Sequence, residues 1–229
     1  MDIKWVCERL KNAENTASTN APFTCTNIGR GDHDLNPEMA SELVTEIQSG
    51  IKLRPAAVMI GLLERPDGLH ILLTRRTDDL EHHPGQISFP GGHIEGDDID
   101  ATAAAIRETH EETGIGIENI NVLGRLDTYI TRTGFSIVPV IGHIFGSFAL
   151  QPDPREVAEI FEVPLAHFMD PVNHQLLQRS FEGGIRKFYA MPYGDYYIWG
   201  ATAGMLFNLF EILTIGKKEY NGNGLLGHF

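Results

Sequence analysis

The chain has 229 residues, 42% of them hydrophobic, and its 18 Lys and Arg against 31 Asp and Glu give a formal charge of −13. This length supports one substantial core, and we favour a single larger domain over two small ones. The acidic balance argues against broad nucleic-acid binding, which needs a basic surface, but a metal ion and a few arginines can still draw an anionic substrate into a cleft.

The sequence features that report on location favour a cytoplasmic protein with no membrane association. Cys7 and Cys25 are too few for a disulfide framework, so a reduced setting is the default. The first residues lack the basic segment and apolar stretch of a signal peptide. The longest clean apolar run, residues 56–63, is far too short to span a bilayer.

The first 54 residues predict a helical extension packed on or next to the core. Residues 2–13 carry apolar side chains at helical spacing, and Pro37 begins a second predicted helix that ends at Gly50. The segment between them, 14–36, is rich in Asn, Thr, Gly and Asp and predicts an irregular connection. The apolar residues of this extension could cover the core or a partner subunit, which leaves a homodimer open.

Residues 55–215 predict an α/β domain, and residues 216–229 a loose Gly- and Asn-rich tail. Apolar runs and turn residues predict, in chain order, strands over 56–63, 70–74, 122–131, 135–145 and 156–164, a short helix over 165–169, and two or three further strands over 175–198. The pattern of Leu206, Leu209, Phe210 and Leu213 predicts a core-covering helix over 199–215.

The centre of the chain, residues 89–115, predicts a glycine turn followed by one acidic helix that ends at Gly114. At 100° per residue, Glu108, Glu111 and Glu112 fall within an arc of roughly 100°. Carboxylates three and four residues apart repel one another by about 0.2–0.5 kcal/mol per pair, and by more as water is withdrawn. A hard cation reverses that sign, so the cluster predicts a Mg²⁺ or Mn²⁺ site.

The surroundings of the three glutamates decide between this interpretation and an ordinary solvated surface, which is the usual state of an isolated Glu pair. The same arc carries only alanines in the first turns of the helix, at 101, 104 and 105, so nothing bulky crowds the acids, and Ile106 and Thr113 are left on the far side for packing. Arg75 and Arg76 precede the segment. Guanidinium groups and the glycine amides of Gly91 and Gly92 can bind phosphate that a metal has begun to neutralise.

These residues closely resemble the Nudix box, a loop, helix and loop that bind metal and diphosphate. The match rests on the glycine turn, Arg107-Glu108, Glu111-Glu112 and Gly114. Three features depart from the family pattern. Asp98 fills a position where Glu is usual, eight residues instead of seven separate Asp98 from Arg107, and Thr109 replaces an aliphatic residue.

The segment before the box resembles the signature of the coenzyme A diphosphatase branch of the Nudix hydrolases. It matches at Leu72-Leu73-Thr74, Arg76, Gly85 and residues 89–92, while Thr77 and Glu81 depart, the latter with a charge opposite to the usual arginine. Further segments at 153–165 and 197–203 also resemble that branch.

This resemblance implies a Nudix α/β/α sandwich with a mixed central sheet. The implied reaction is hydrolysis of coenzyme A, or a derivative of it, to 3′,5′-ADP and 4′-phosphopantetheine. The resemblance implies metal binding by Glu108 and Glu112, with Glu111 contributing or positioning water, and a structural role for Arg107. Arg75 and Arg76 are the candidates for phosphate contacts.

The sequence leaves open the general base, the substrate and whether the protein turns its nucleotide over. The general base could be Glu111 or a carboxylate outside the box, namely Glu156, Glu159 or Glu162. The substrate could be another nucleotide, such as ADP-ribose, NADH or a dinucleoside polyphosphate. A protein that binds nucleotides without turnover is the third alternative, although such a protein normally loses box carboxylates.

Overall fold

A mixed sheet of nine strands lies at the centre of the computed structural model, which describes residues 1–14, 29–78, 84–181 and 184–214. The middle strand, β2, pairs in parallel with β8 and antiparallel with β3 and β5. β3 also pairs with β4 and β9, β8 also pairs with β6 and β7, and β1 extends the sheet in parallel beyond β7. β10 and β11 form a separate antiparallel hairpin.

The strands have these bounds: β1 Arg30–Gly31, β2 Arg54–Arg65, β3 Gly68–Arg76, β4 Ile87–Ser88, β5 Gly91–His93, β6 Ile120–Arg125, β7 Tyr129–Ile130, β8 Phe135–Ile144, β9 Val157–Pro164, β10 Gln175–Phe181 and β11 Gly184–Ala190. The α-helices are α1 Ile3–Glu14, α2 Pro37–Gln48, α3 Ala101–Thr113, α4 Leu165–Phe168 and α5 Ala201–Thr214. Short 3-10 turns cover Asp32–Asp34, Ile117–Asn119 and Pro171–Asn173.

Helices cover both faces of the sheet, which confirms the predicted α/β sandwich with a mixed sheet. On one face, the alanines of α3 pack against Met59, Leu63 and Leu72 in a buried apolar cluster. On the other face, apolar residues of α1, α4 and α5 form a larger cluster with the opposite side of β2, β3 and β9. Because side chains alternate along a strand, β2 and β3 supply both clusters, and their long apolar runs follow from burial on two sides.

The strand predicted over 122–131 is wrong as one element, because the structure divides it into β6 and β7. The break lies opposite Pro139 of β8, between the Arg125–Val140 pair and the Tyr129–Ile137 pair. The Pro139 carbonyl accepts from the Leu126 amide at 2.9 Å, but proline has no N–H to donate in return. The helix predicted from residue 199 begins at Ala201, after the left-handed Gly200 at φ 63°.

The described part of the N-terminal extension packs onto the rest of the chain. Val6 and Leu10 of α1 lie in the same buried cluster as α5. The carboxylate of Asp32 accepts from the Tyr129 hydroxyl at 2.8 Å, and the Asn36 side chain bonds both backbone groups of Lys187. Residues 15–28, the turn at 182–183, the loop 79–83 with Glu81, and the tail from 215 lie outside the described residues.

Among the described residues, no helix has the length and apolar character needed to cross a membrane.

Candidate active site

The glycine turn before α3 lies against the central strand β2. Gly91 has φ 156°, and a Cβ at that position would come within 2.4 Å of the Ala57 carbonyl oxygen. A Cβ on Gly92 would lie 2.5 Å from a carboxylate oxygen of Glu108. The absence of both side chains therefore lets the turn approach the sheet on one side and the Glu108 carboxylate on the other.

Helix α3 is closed by polar groups at both ends. Asp100 is its N-cap, accepting from the Ala103 amide at 2.9 Å, and Gly114 ends it with φ 74°. The carbonyls of Glu112 and Thr113 accept from the amides of Asp153 and Gln151. These bonds tie the end of α3 to the segment that leads into β9.

The packing face of α3 is wider than predicted, because Thr113 is buried and Ile106 packs on the apolar cluster as expected, and the alanines pack there as well. Ala101, Ala104 and Ala105 are buried against the sheet, so the alanines that share the arc of the glutamates are part of the contact face. Their small size brings the helix close to β2 and draws Glu112 into the interior. The unusual Thr109 is also buried, and its hydroxyl donates to the Ala105 carbonyl at 2.6 Å, which satisfies its polar group within the helix.

Glu112 is the buried carboxylate of the site, with 5% of its surface exposed. Burial, and then the negative charge of Glu108, raise its pKa to about 8, while the Gly91 amide that donates to it acts in the opposite direction. An ionised carboxylate in this position lacks a full counter-charge, and such a group is stable only with a proton or a nearby cation.

Arg107 holds the more exposed carboxylates of α3. Its Nη1 donates to Glu108 at 2.9 Å and to Glu111 at 3.0 Å. Its Nε and Nη2 donate to the two oxygens of Asp98 at 3.1 and 2.9 Å, and Nη2 also donates to the His93 carbonyl. The Asp98 hydrogen bonds, and then the bond to Glu108, raise the pKa of Arg107. Arg107 therefore fastens α3 to its preceding loop.

Asp98 has a defined place in this arrangement despite its departure from the family pattern. Besides its two-point contact with Arg107, its Oδ2 accepts from the Glu95 amide at 2.8 Å. The hydrogen bonds from Arg107, followed by that amide bond, lower the pKa of Asp98. The extra residue in the loop therefore does not separate Asp98 from Arg107.

The predicted metal-binding glutamates come together on one helix without converging on one point. Within residues 1–14, 29–78, 84–181 and 184–214, no three His, Cys, Asp or Glu side chains are gathered in a metal-binding geometry. Arg107 engages Glu108 and Glu111 through the same nitrogen and makes no hydrogen bond to Glu112. The donor chemistry still fits a hard cation, because Glu112 is an under-compensated carboxylate beside Glu108, and carboxylate oxygens are the ligands that Mg²⁺ and Mn²⁺ take.

Arg75 and Arg76 end β3 and contact different carboxylates of the neighbouring strand segment. The positive charge of Arg76 acts on Glu112, and its Nη2 lies 4.0 Å from Glu156. Arg75 instead donates from Nε to Glu159 at 3.3 Å. Arg76 thus contacts Glu156 and acts on the charge of the carboxylate helix, whereas Arg75 pairs with Glu159.

The three carboxylates outside the box, Glu156, Glu159 and Glu162, differ in the hydrogen bonds that their side chains already make. Glu162 is held by Arg65 through two hydrogen bonds of 2.8 and 2.6 Å, and Glu159 accepts from both Arg75 and Tyr196. Glu156 has the 4.0 Å contact with Arg76, is about half exposed, and acts electrostatically on Glu108 and Glu112. Within the described part of the chain, its hydrogen bonds are made by its backbone, which accepts from the Thr77 amide and donates to the Asp153 carbonyl.

Two residues at the site were not found from the sequence. Asp100 could have been recognised, since Asp directly before a helix is a preferred N-cap. Tyr196 could not, because 37 residues separate it from Glu159, and only the folded chain brings its hydroxyl to 2.7 Å from that carboxylate.

Replacing Gly92 with alanine should lower turnover about tenfold to a hundredfold, because a small displacement of a positioned group can cost that much. The new Cβ would overlap the Glu108 carboxylate, whose flexible end can move aside, so the thermal unfolding midpoint should change little. Gly96→Ala is the control, since a Cβ there meets no atom within 4 Å. Equal turnover in both variants would contradict this role of Gly92.

A mixed sheet between helices, with a glycine turn beside a carboxylate helix, is the arrangement found in hydrolases of pyrophosphate bonds. A family model of the NUDIX domain matches residues 52–188. The chain belongs to the Nudix hydrolase family, whose members generally act on nucleoside diphosphate-linked substrates and use divalent ions such as Mg²⁺ or Mn²⁺.

Curated relatives cover most of the chain. The uncharacterized Nudix hydrolase NudL of Cronobacter sakazakii is 34% identical over 199 residues, which span 87% of this chain and 98% of that protein. The protein of the same name from an Enterobacter species is 34% identical over 184 residues, 80% of this chain and 91% of that protein.

Solved Nudix structures are more distant. A MutT/nudix family protein from Enterococcus faecalis is 18% identical, with a TM-score of 0.45 over 82% of this chain and 74% of that chain. The NUDIX domain of Shewanella oneidensis NrtR, solved with ADP ribose, is 18% identical, with a TM-score of 0.41 over 55% of this chain and 83% of that chain.

Proposed function

We propose that this Nudix hydrolase cleaves the diphosphate bond of coenzyme A or its derivatives, releasing 3′,5′-ADP and 4′-phosphopantetheine or its acylated form. Arg76, the arginine that matches the coenzyme A signature, supports this proposal most directly. Its Nε is buried and has no hydrogen-bond partner among the described residues, although its Nη2 lies 4.0 Å from Glu156 and its charge acts on Glu112. A phosphate oxygen would satisfy this donor with a charge-assisted bond.

The residues of the Nudix box have different roles in cleavage of the diphosphate. Glu108, Glu111 and Glu112 would hold Mg²⁺ or Mn²⁺, which neutralises the phosphate charge and makes water a better nucleophile. Arg107 holds Glu108 and Glu111 on the loop side of α3. The Gly92 amide is proposed to contact the substrate phosphates, whereas the Gly91 amide donates to Glu112. Water adds to one phosphorus, and the bond from that phosphorus to the bridging oxygen breaks.

Glu156 is the proposed acceptor of the proton from the attacking water. The alternatives carry other bonds: Glu162 pairs with Arg65, Glu159 pairs with Arg75 and Tyr196, and Glu111 pairs with Arg107. The Glu156 side chain is committed to none of these and lies near Glu108 and Glu112.

Glu156→Gln should therefore lower kcat about a hundredfold to ten-thousandfold, the usual contribution of a positioned general base. The KM for substrate and the thermal midpoint should stay within about twofold and about two degrees of the wild type, because the Glu156 side chain makes no close structural bond. Glu162→Gln serves as the matched control and should retain kcat. If the Glu156→Gln enzyme kept the wild-type kcat, Glu111 would be the general base instead.

The substrate is tested with a panel of coenzyme A, acyl-coenzyme A, NADH, ADP-ribose and dinucleoside polyphosphates, each with Mg²⁺ and with Mn²⁺. Products are identified by mass. Release of 3′,5′-ADP with a kcat/KM for coenzyme A at least about tenfold above the other nucleotides supports the proposal. A preference for ADP-ribose, NADH or a dinucleoside polyphosphate would replace it with the alternative substrate class.

The cytoplasmic location predicted from the sequence is part of this proposal, and the sequence leaves a homodimer open. Sedimentation of the full chain separates a monomer from a dimer directly.

A further inference from the structure

Two arginines of β3 face different partners, although they are adjacent in sequence. The Nη2 of Arg76 lies 4.0 Å from Glu156, and the positive charge of Arg76 acts on Glu112 of the carboxylate helix. Arg75 pairs with Glu159 on β9, next to Phe161, which belongs to the apolar cluster under α1, α4 and α5. The end of β3 therefore presents two guanidinium groups in two environments, and an anion bound at one need not contact the other.

Among the residues that the structure describes, Arg75 is held through one nitrogen. Its Nε donates to Glu159 at 3.3 Å, and the side chain is 37% exposed. Four of the five N–H donors of a guanidinium are on the two terminal nitrogens, and this ion pair does not use them. The contact therefore orients the guanidinium plane while its two terminal nitrogens stay available to an anion.

Glu159 is itself held by Tyr196. The Tyr196 hydroxyl donates to the second oxygen of Glu159 at 2.7 Å. The Tyr196 ring stacks on Phe161 with centroids 3.7 Å apart, and the backbone groups of Tyr193 and Tyr196 exchange two hydrogen bonds of 2.9 Å. Tyr196 is thus fixed by its ring and by its backbone. Its hydrogen bond, and next that of Arg75, lower the pKa of Glu159, so the carboxylate stays ionised near neutral pH.

We propose that Tyr196 and Glu159 are positioning residues that orient Arg75 to bind a second phosphate group of the substrate, apart from the diphosphate at Arg76. This inference rests on the proposed function, because coenzyme A carries a 3′-phosphate in addition to its diphosphate. A nucleotide such as ADP-ribose has no third phosphate for this site. The pair would thereby determine specificity without touching the reacting atoms.

The test uses the purified full chain and calorimetric binding of 3′,5′-ADP and AMP, which differ by the 3′-phosphate alone. The wild type should bind 3′,5′-ADP about tenfold more tightly than AMP. Tyr196→Phe should weaken 3′,5′-ADP binding about fivefold, the usual effect of one lost hydrogen bond, and leave AMP within about twofold. Tyr197→Phe, at the exposed neighbouring tyrosine, is the control and should change neither affinity.

A double variant shows whether Tyr196 acts through Arg75. Arg75→Gln should abolish the discrimination between the two ligands, and adding Tyr196→Phe to it should have no further effect. Additive losses, or an equal weakening of both ligands by Tyr196→Phe, would mean that the tyrosine has a structural role only and would overturn the inference.

The same proteins are assayed for cleavage of coenzyme A, so the two proposals can fail separately. A wild type that discriminates between the ligands without cleaving coenzyme A removes the proposed function and leaves the second phosphate site. A wild type that cleaves coenzyme A and binds both ligands equally retains the function and removes the site.

Discussion

Replacing Glu112 with glutamine should lower kcat about a thousandfold while the protein remains folded. Glutamine keeps the shape of the side chain but lacks the charge that a hard cation needs, and the loss of such electrostatic stabilisation has effects of this size. Glu112 is the least exposed of the three α3 carboxylates. A water molecule therefore cannot take the place of the carboxylate oxygen that the variant lacks. The measurement is steady-state kcat with Mg²⁺ and with Mn²⁺, alongside circular dichroism.

Glu46→Gln is a suitable control for this variant. Glu46 is exposed on α2, away from the glycine turn and the carboxylate helix. It should retain wild-type kcat and metal dependence. Near-normal turnover in a folded Glu112→Gln protein would reject Glu112 as a metal ligand.

The metal-free protein should lose stability as pH rises from about 4.5 to about 8. Burial raises the pKa of Glu112 to about 8 in the folded state, whereas an ordinary Glu titrates near 4.5. Between these values the folded state binds a proton that the unfolded chain has released, so the free energy of unfolding falls with pH by up to about 1.4 kcal/mol per unit. Burial also raises the pKa of Glu108, which adds to the effect in the same direction.

Urea unfolding at pH 5, 6, 7 and 8 in the presence of a chelator measures this dependence. Glu112→Gln should remove most of the slope and be more stable than the wild type at pH 8. Saturating Mg²⁺ or Mn²⁺ should raise wild-type stability most at high pH, because the ion binds the deprotonated carboxylates. A wild type whose stability is flat over this range, or an unchanged slope in Glu112→Gln, contradicts the buried, under-compensated state of Glu112.

Arg107 gives the carboxylate helix a counter-charge within the protein. It contacts Glu108 and Glu111 through one nitrogen and Asp98 through two others, but it makes no hydrogen bond to Glu112. An ion that binds all three glutamates therefore exchanges some of these contacts for its own, while the two-point Asp98 contact can persist. This division explains how one arginine can hold the loop and still leave the helix able to bind a cation.

Local patterns were sufficient for most of the elements. The apolar runs of β2 and β3 and the turn between them identified two buried strands, and the spacing of apolar residues identified α1, α2 and α5. Pro139 was not recognised as a break in the opposite strand, since its effect falls on a partner that only strand pairing brings beside it. The burial of the α3 alanines was not predicted, because helical periodicity gives an arc but does not say which neighbour lies against it.

The sequence by itself determined the family, the glycine turn and the three carboxylates of α3, because those features lie within one short segment whose chemistry is local. Tertiary structure decided which carboxylate is buried, how Arg107 reaches Asp98, and which acids outside the box are already paired. It also joined Tyr196 to Glu159 and Arg75. Burial and ion pairing depend on strands and loops distant in the chain, and these become neighbours only when the sheet forms.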